Sequence, residues 1–396
     1  MKKITGSLMM VALFITSLNL RLAINSISPI LENIRNDLGM SASIASLLTS
    51  IPVLCMGIFS PIAAKLGNRW GIERVIGWSL AFIGFGTILR FFSNSTLFLL
   101  LTAFIAGVGI AAVGPLLSGF IKRYFQTKVP SMIAIYTVAL TIGAALASGL
   151  TAPLQTSLNW QGALAIWAIF AIIAVPVWWL FVLHRIKKTT NQPSVQQEVK
   201  MPWGNKTAWL LTLSFGLMAM LFYSVTAWLP PIIQNMGYSK MYAGNVLTIF
   251  VVVQIPVSLL LPVLLKRIPS RLTWLLIASS MELIGFLMIL FAFEPWIAAL
   301  FIGIGAGSLF PLNLLLPIDA TKNAQEAASW AAMTQSIGYI IGSAGPILLG
   351  WIHDSTKSFS LAIIGMAMIA VIMMVVQILA SIGQAKDKDK NKTLVA

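Results

Sequence analysis

The stretch "LFITSLNLRLAINSISPI", Leu13 to Ile30, decides what kind of protein this is. Together with the apolar residues before it, from about residue 7, it is long enough to cross about 30 Å of hydrocarbon as a helix. Arg21 nevertheless stands in its middle, where insertion scales charge about 2.5–3.5 kcal/mol for an arginine. Such a residue persists in a span only if it faces protein or water.

Eleven stretches of the same kind follow, near residues 41–63, 75–92, 97–120, 130–153, 162–183, 207–231, 241–265, 272–292, 295–317, 328–350 and 359–383. Hydrocarbon offers no partner to an open backbone, so these segments are helices and not strands. The fold class is therefore an all-α polytopic membrane protein with twelve transmembrane helices. Composition agrees: 58% of the residues are hydrophobic and 9% are charged, too few for a soluble domain's surface. The start, Met1-Lys2-Lys3 before an apolar run, imitates a secretory signal. The run is long, contains Asn19 and Arg21 and has no small-residue cleavage site, so it reads as a retained span. The single cysteine, Cys55, rules out a disulfide within the chain and a cysteine metal cluster.

The net charge of +15 lies in short loops, which points to membrane topology and not to nucleic acid. Cations crowd the N-terminus, the loops near 65–74, 122–128 and 266–271, the linker, and the tail "KDKDKNK". The alternate loops hold only Arg35, Arg90, Lys240 and Lys357. The positive-inside rule then puts both termini in the cytoplasm of a cell-membrane protein. The one long polar gap divides the chain into an N-terminal half (1–184), a linker (185–206), a C-terminal half (207–385) and a charged tail (386–396).

The halves repeat one another. "PILENI" at 29–34 matches "PIIQNM" at 231–236, and Gly107-x-Gly109 with Pro115-Leu116 recurs as Gly303-x-Gly305 with Pro311-Leu312. Six-helix repeats around a midplane site are a common architecture of secondary transporters. The alignment sets Tyr223 of span 7 against Arg21 of span 1.

Twelve spans, duplicated halves and a central linker resemble the major facilitator superfamily over essentially the whole chain. The loop "AKLGNRWGIERVI", Ala64 to Ile76, is similar to its cytoplasmic signature, with Asn68, Arg69 and Gly71 in register. Ile72 and Glu73 replace the usual basic pair and leave Arg74 as the nearby charge. The segments "LNLRLAINSISPIL", "FYSVTAWLPPII", "GIGAGSLFPLNLLLP" and "SIGYIIGSAGPILLGWIHDST" resemble the cyanate and 2-nitroimidazole transporter branch. That resemblance implies a solute transporter in which span 1 lines a central cavity. The span 4 arginine of many proton-driven antiporters would fall near Ala103, and the span 5 antiporter signature is missing from "GAALASGLTAPL".

At 100° per residue, Ser17, Arg21, Asn25 and Ser28 share one face of helix 1. Asn19 lies well round from Arg21 and suits a bond to a neighbouring helix. Arg21 then serves either as an anchor for an anionic substrate, through its fixed charge and paired donors, or as a tie to neighbouring helices. Tyr223 and Trp228 in span 7, Asn313 in span 10, and Gln335 and Tyr339, one turn apart in span 11, are the other substrate-binding candidates. Each has packing or anchoring as its alternative. Glu282 in span 9 is the one clearly embedded carboxylate, either a proton carrier or a protonated, locally bonded group. Asp319 and Glu326 flank the loop between spans 10 and 11 and suit gating, as do Asn68, Arg69, Gly71 and Arg74. The glycines of spans 4 and 10 suit close helix packing.

An enzyme is not expected: His184 and His353 sit at membrane edges, and no nucleophile has a base at helical spacing. No metal or other cofactor is called for, and without a phosphate-binding loop ATP does not drive the protein. The sequence therefore predicts a secondary transporter of a small anionic solute working by alternating access, with Arg21 as anchor and proton coupling left open. The alternative is an exporter of neutral nitroaromatic or drug-like compounds. The expected partners are a small-molecule substrate and the lipid bilayer, with no nucleic acid and a monomeric state.

Overall fold

A computed structural model describes residues 2–125, 129–184, 202–321 and 324–393. Among the described residues every regular element is helical. Twelve helical segments among the described residues are long and apolar enough to span a bilayer. Spans 1 to 6 are Ser7–Leu38, Ala42–Gly67, Ile72–Phe92, Thr96–Ile121, Ile135–Ser157 and Trp160–Leu183. Spans 7 to 12 are Lys206–Asn235, Lys240–Arg267, Arg271–Leu290, Pro295–Pro317, Trp330–Thr356 and Phe359–Gly383. The last helix runs on to Thr393, carrying most of the charged tail with it. The greater part of the linker lies outside the described residues.

Polar residues start several helices by accepting a backbone N–H from one turn ahead. Ser41 takes that of Ile44 at 3.2 Å, Ser95 that of Phe98 at 3.4 Å and Ser270 that of Thr273 at 3.3 Å. Three spans break where backbone bonding is interrupted, span 6 among them, between the helices Trp160–Ala165 and Ala168–Trp178. Span 8 divides at Val253 into Lys240–Val252 and Gln254–Arg267, just ahead of Pro256, which has no N–H to give. Span 1 breaks after Asn25 into a short 3₁₀ turn at Ser28–Ile30 and then a surface helix, Leu31–Leu38.

The chain forms two compact units. The first comprises Met1–Ser194 with Thr226–Val252, and so includes the far part of span 7 and the first helix of span 8. Within it span 4 packs on spans 2 and 3, span 1 on spans 5 and 6, and the first helix of span 8 on span 5. Its core holds Phe120, Trp178, Ile76, Leu80 and Leu117 between spans 3, 4 and 6. The second unit comprises Val195–Val225 with Val253–Ala396. There span 9 packs on spans 10 and 12, and span 10 on the second helix of span 8 and on span 11.

The repeat is visible in how each unit packs. A Cβ on Gly109 of span 4 would lie 2.6 Å from the Ser79 carbonyl oxygen of span 3. A Cβ on Gly305 of span 10 would lie 2.5 Å from the Ala278 carbonyl oxygen of span 9. The matched glycines let matched helix pairs approach to backbone contact, as small residues do in membranes.

Candidate functional site

Helix 1 carries the first group of candidates. Pro29 cannot donate a backbone bond and disfavours helical geometry at Ser28, so the ladder fails just before it. Ile27 N–H turns back to the Ile24 carbonyl at 3.4 Å, and the Ala23 carbonyl is left without its helical donor. The polar face expected from the sequence ends at this break. Ser17 is buried and donates to the Leu13 carbonyl at 2.6 Å, which satisfies it within its own helix. Arg21, one turn on, is partly exposed and already engaged with the protein. Asn25, one further turn on, is fully buried, and neither of its amide atoms has a partner among the described residues. The Ser28 hydroxyl, on the same face, is buried and unpartnered as well. Asn19 points to another face, donating to the Ile15 carbonyl at 2.8 Å and the Phe170 carbonyl of span 6 at 3.3 Å, as its position predicted. Trp228 is buried in this same unit.

Tyr223, Asn313, Gln335 and Tyr339 belong to the second unit. Tyr223 and Tyr339 meet edge to face with ring centroids 6.4 Å apart. Phe215, which nothing in the sequence singles out, joins Tyr339 at 5.3 Å and Phe310 at 6.3 Å. An aromatic cluster thus runs from span 7 to spans 10 and 11. Gly338, Gly342 and Gly345 of span 11 make room for it: added Cβ atoms would strike Phe215, Ala219 and Met220 of span 7 respectively. The Asn313 amide is committed elsewhere. Its oxygen accepts from Ser214 at 2.7 Å and its nitrogen donates to the Leu309 carbonyl at 2.9 Å, tying span 10 to span 7. Gln335 is half-buried, one turn before Tyr339.

The signature loop closes on itself. Gly71 takes a positive φ of 89° and its N–H reaches back to the Gly67 carbonyl at 2.9 Å, ending span 2. Arg69 and Arg74 are exposed, and the Asn68 side chain lies outside the described residues. Glu73, the departure from the usual basic pair, is buried. Its Oε1 accepts from the Tyr124 hydroxyl at 2.6 Å and lies 3.4 Å from Arg123 Nη1, while its carbonyl takes the Trp178 indole N–H at 2.8 Å. Burial, and then the bond to Glu73, push the Tyr124 hydroxyl pKa well above the ordinary tyrosine value. In the second unit Asp319 Oδ2 pairs with Arg271 Nε at 2.8 Å. The Glu326 side chain lies outside the described residues.

A cavity of about 600 Å³ opens in the first unit, lined by Glu32, Asn33, Asn36, Asp37, Gln234 and Lys240. Its carboxylates are occupied: Glu32 pairs with Arg35 at 2.7 Å, and Asp37 accepts the Trp160 indole N–H at 2.6 Å. Its lining does not favour an anion.

The family model described as "Major Facilitator Superfamily" matches residues 9–343. The chain belongs to that superfamily. Three of the curated proteins that align with most of this transporter show what it is similar to. It is 34% identical over 394 residues to "Uncharacterized transporter YycB" of Bacillus subtilis, covering 98% of this chain and 96% of that one. It is 30% identical over 359 residues to the "2-nitroimidazole transporter" of Escherichia coli, covering 89% and 90% of the two chains. It is 31% identical over 358 residues to the "Cyanate transport protein CynX" of Escherichia coli, again covering 89% and 90%. The solved structure of a bacterial homologue of the human lysosomal transporter Spinster, inward-facing and unoccupied, superposes with a TM-score of 0.75 at 17% identity, covering 97% of this chain and 98% of that one. The resemblance read from the four helix segments is borne out, and the superfamily's activity is transport, not enzymatic catalysis.

Within this transporter Glu282 is 1% exposed, and its Oε2 has no partner among the described residues. Its side chain faces span 10, where a Cβ on Gly305 would lie 2.5 Å from the Glu282 Cγ, and one turn earlier Ser279 donates to Gln377 Oε1 of span 12 at 3.0 Å. Arg90, expected in a loop, is instead fully buried at the end of span 3.

Proposed function

We propose that this superfamily transporter moves a small anionic solute by alternating access between its halves, with Arg21 as the substrate anchor. The observation that carries this reading is Asn25, buried with both amide atoms unpartnered one turn beyond Arg21 on the same helix face. A buried amide without partners is costly unless something bonds it. A neighbouring guanidinium suits an occupant that brings negative charge and oxygen or nitrogen acceptors. The similarity to a cyanate transport protein supports the same chemistry. Cation placement supports a cell-membrane orientation with both termini and the linker cytoplasmic. The protein acts as a monomer, and a coupled proton has Glu282 as its candidate carrier.

A second reading rests on the aromatic cluster of Tyr223, Tyr339 and Phe215 and on the similarity to a 2-nitroimidazole transporter. Here the cargo is a neutral nitroaromatic held between rings. Uptake into proteoliposomes separates the two. Cyanate, nitrite or nitrate should enter, at least about tenfold more slowly in Arg21→Ala. Anion entry undiminished in the variant sinks the anchor. Entry of 2-nitroimidazole alone establishes the second reading in place of the first. Uptake that ignores an imposed pH gradient removes the coupled proton.

A further inference from the structure

Arg90 stands at the last turn of span 3, a position from which arginine ordinarily extends to the aqueous boundary. Its neighbours Phe91 and Phe92 are more than half exposed, yet Arg90 is turned inward with 0% of its surface accessible. One end of its guanidinium has a clear task. Nη1 donates at 2.9 Å to the Ala23 carbonyl, the acceptor released where helix 1 breaks. The rest has none: Nε and Nη2 are buried without a partner among the described residues. None of the ion pairs among those residues includes Arg90.

Nε and Nη2 are the two nitrogens of one side of the guanidinium plane, and their N–H bonds run parallel. That edge is the fork which grips two oxygens of a planar oxyanion, or one spherical halide, at once. Two further buried hydroxyls have no partner among the described residues, those of Ser93, three residues on from Arg90, and Ser26, three on from Ala23. Ser93 closes the 3₁₀ turn that begins at Arg90, its N–H bonding the Arg90 carbonyl at 3.1 Å. Side chains three apart in such a turn eclipse one another, which sets Ser93 over Arg90. Ser26 lies one turn beyond Ala23 on the helix 1 face that Arg90 holds. Leaving a charge this deep uncompensated is strongly unfavourable, and a small anion restores the balance.

We propose that Arg90, with Ser93 and Ser26, binds a small monovalent anion against the break in helix 1. This second site is independent of Arg21. Ala23 and Asn25 are 200° apart around the helix, so helix 1 stands between Arg90 and the Arg21 face. The anion is either a resident halide or a planar oxyanion of the kind proposed as cargo.

The test compares thermal unfolding of the purified full-length protein in sodium gluconate with unfolding in sodium chloride or sodium nitrate at equal ionic strength. Wild type and Arg21→Gln should both gain several degrees with chloride or nitrate, and Arg90→Gln made in the Arg21→Gln background should gain none. The paired substitution Ser26→Ala with Ser93→Ala keeps the guanidinium and its bond to Ala23, and should need about tenfold more anion for half the effect. A larger shift with chloride identifies a resident halide, and a larger shift with nitrate identifies an oxyanion. The proposal is overturned by no shift in wild type, by a shift in the double variant equal to that of Arg21→Gln, or by a shift that Arg21→Gln alone abolishes. If Arg90→Gln yields no folded protein, the serine pair decides, and an unchanged half-effect concentration overturns it.

Discussion

Arg271 and Asp319 clasp the two ends of a helix pair: the first residue of the helix Arg271–Leu290 meets the last residue of the helix Pro295–Asp319 at 2.8 Å. The first unit has the same clasp with its charges exchanged. Glu73, second in the helix Ile72–Leu89, meets Arg123, one before the end of the helix Thr96–Tyr124, at 3.4 Å. Arg123 and Asp319 are separated by the offset that relates Gly109 to Gly305 and Pro115 to Pro311. The duplicated halves therefore keep a polar clasp at this position and do not keep its polarity. An ion pair requires opposite signs and is indifferent to which helix supplies which.

Polarity should accordingly be exchangeable. Both Arg271 and Asp319 are about one-third exposed, so water screens their attraction and the pair is worth only about 0.5–1 kcal/mol. Arg271→Asp and Asp319→Arg should each lower the unfolding temperature, and the two together should recover most of the loss. A double-mutant cycle on thermal unfolding measures the coupling. Strictly additive losses would show that the clasp contributes nothing.

Tyr124 gives the other clasp a pH dependence. Its hydroxyl donates at 2.6 Å to a buried carboxylate, so Tyr124→Phe should reduce stability by about 1–2 kcal/mol. Burial and Glu73 raise the tyrosine pKa in the folded protein above the ordinary value of about 10. For a raised pKa the contribution is complete below the unfolded value and disappears as pH climbs through the folded one. The gap in unfolding temperature between wild type and Tyr124→Phe should thus hold steady from pH 6 to 9 and narrow above about pH 10. A gap that widened in alkali would contradict the assignment.

The twelve spans and the duplication were legible because hydrocarbon enforces them: apolar length and repeated Gly and Pro survive in one-dimensional order. The break in helix 1 was legible in principle, through Pro29. Partners far apart in sequence were not. Glu73 was visible as a departure from the signature, but Tyr124 and Arg123, about fifty residues on, could not be assigned to it. Phe215 has nothing in its neighbourhood to mark it as an aromatic partner of Tyr339. Asn313 looked available for a ligand because its bond to Ser214 crosses two spans. Arg90 reads as a loop cation, since hydropathy records where a residue lies along a span and not which way its side chain turns.

Gly345 fixes how closely span 11 approaches span 7. A Cβ there would lie 2.6 Å from the Met220 carbonyl oxygen and 2.5 Å from the Ser224 hydroxyl. Backbone cannot yield as a flexible side chain does, so Gly345→Ala should destabilise by about 1–3 kcal/mol. Gly365→Ala is the control, because its nearest neighbour is the end of the Ile352 side chain at 3.6 Å. Thermal unfolding of the two variants beside wild type checks the difference, and equal behaviour would show that span 11 shifts to accept the methyl group.

Asn25→Asp offers the sharpest discrimination between the two cargo readings. The change keeps the side chain's size and puts a carboxylate one turn from Arg21 on the same face, where opposite charges at this spacing attract. The guanidinium would then be neutralised from within, and an incoming anion would meet a like charge. Uptake of cyanate, nitrite or nitrate should fall by at least about tenfold, a loss of about 1.4 kcal/mol or more in binding. Uptake of neutral 2-nitroimidazole should change little, since ring stacking does not depend on that charge. Arg21→Lys should separate charge from geometry: it keeps the cation and loses the paired donors, so part of the anion uptake should remain. If anion uptake survives Asn25→Asp while nitroimidazole uptake falls, the polar face of helix 1 serves the neutral compound, and the anchor belongs elsewhere.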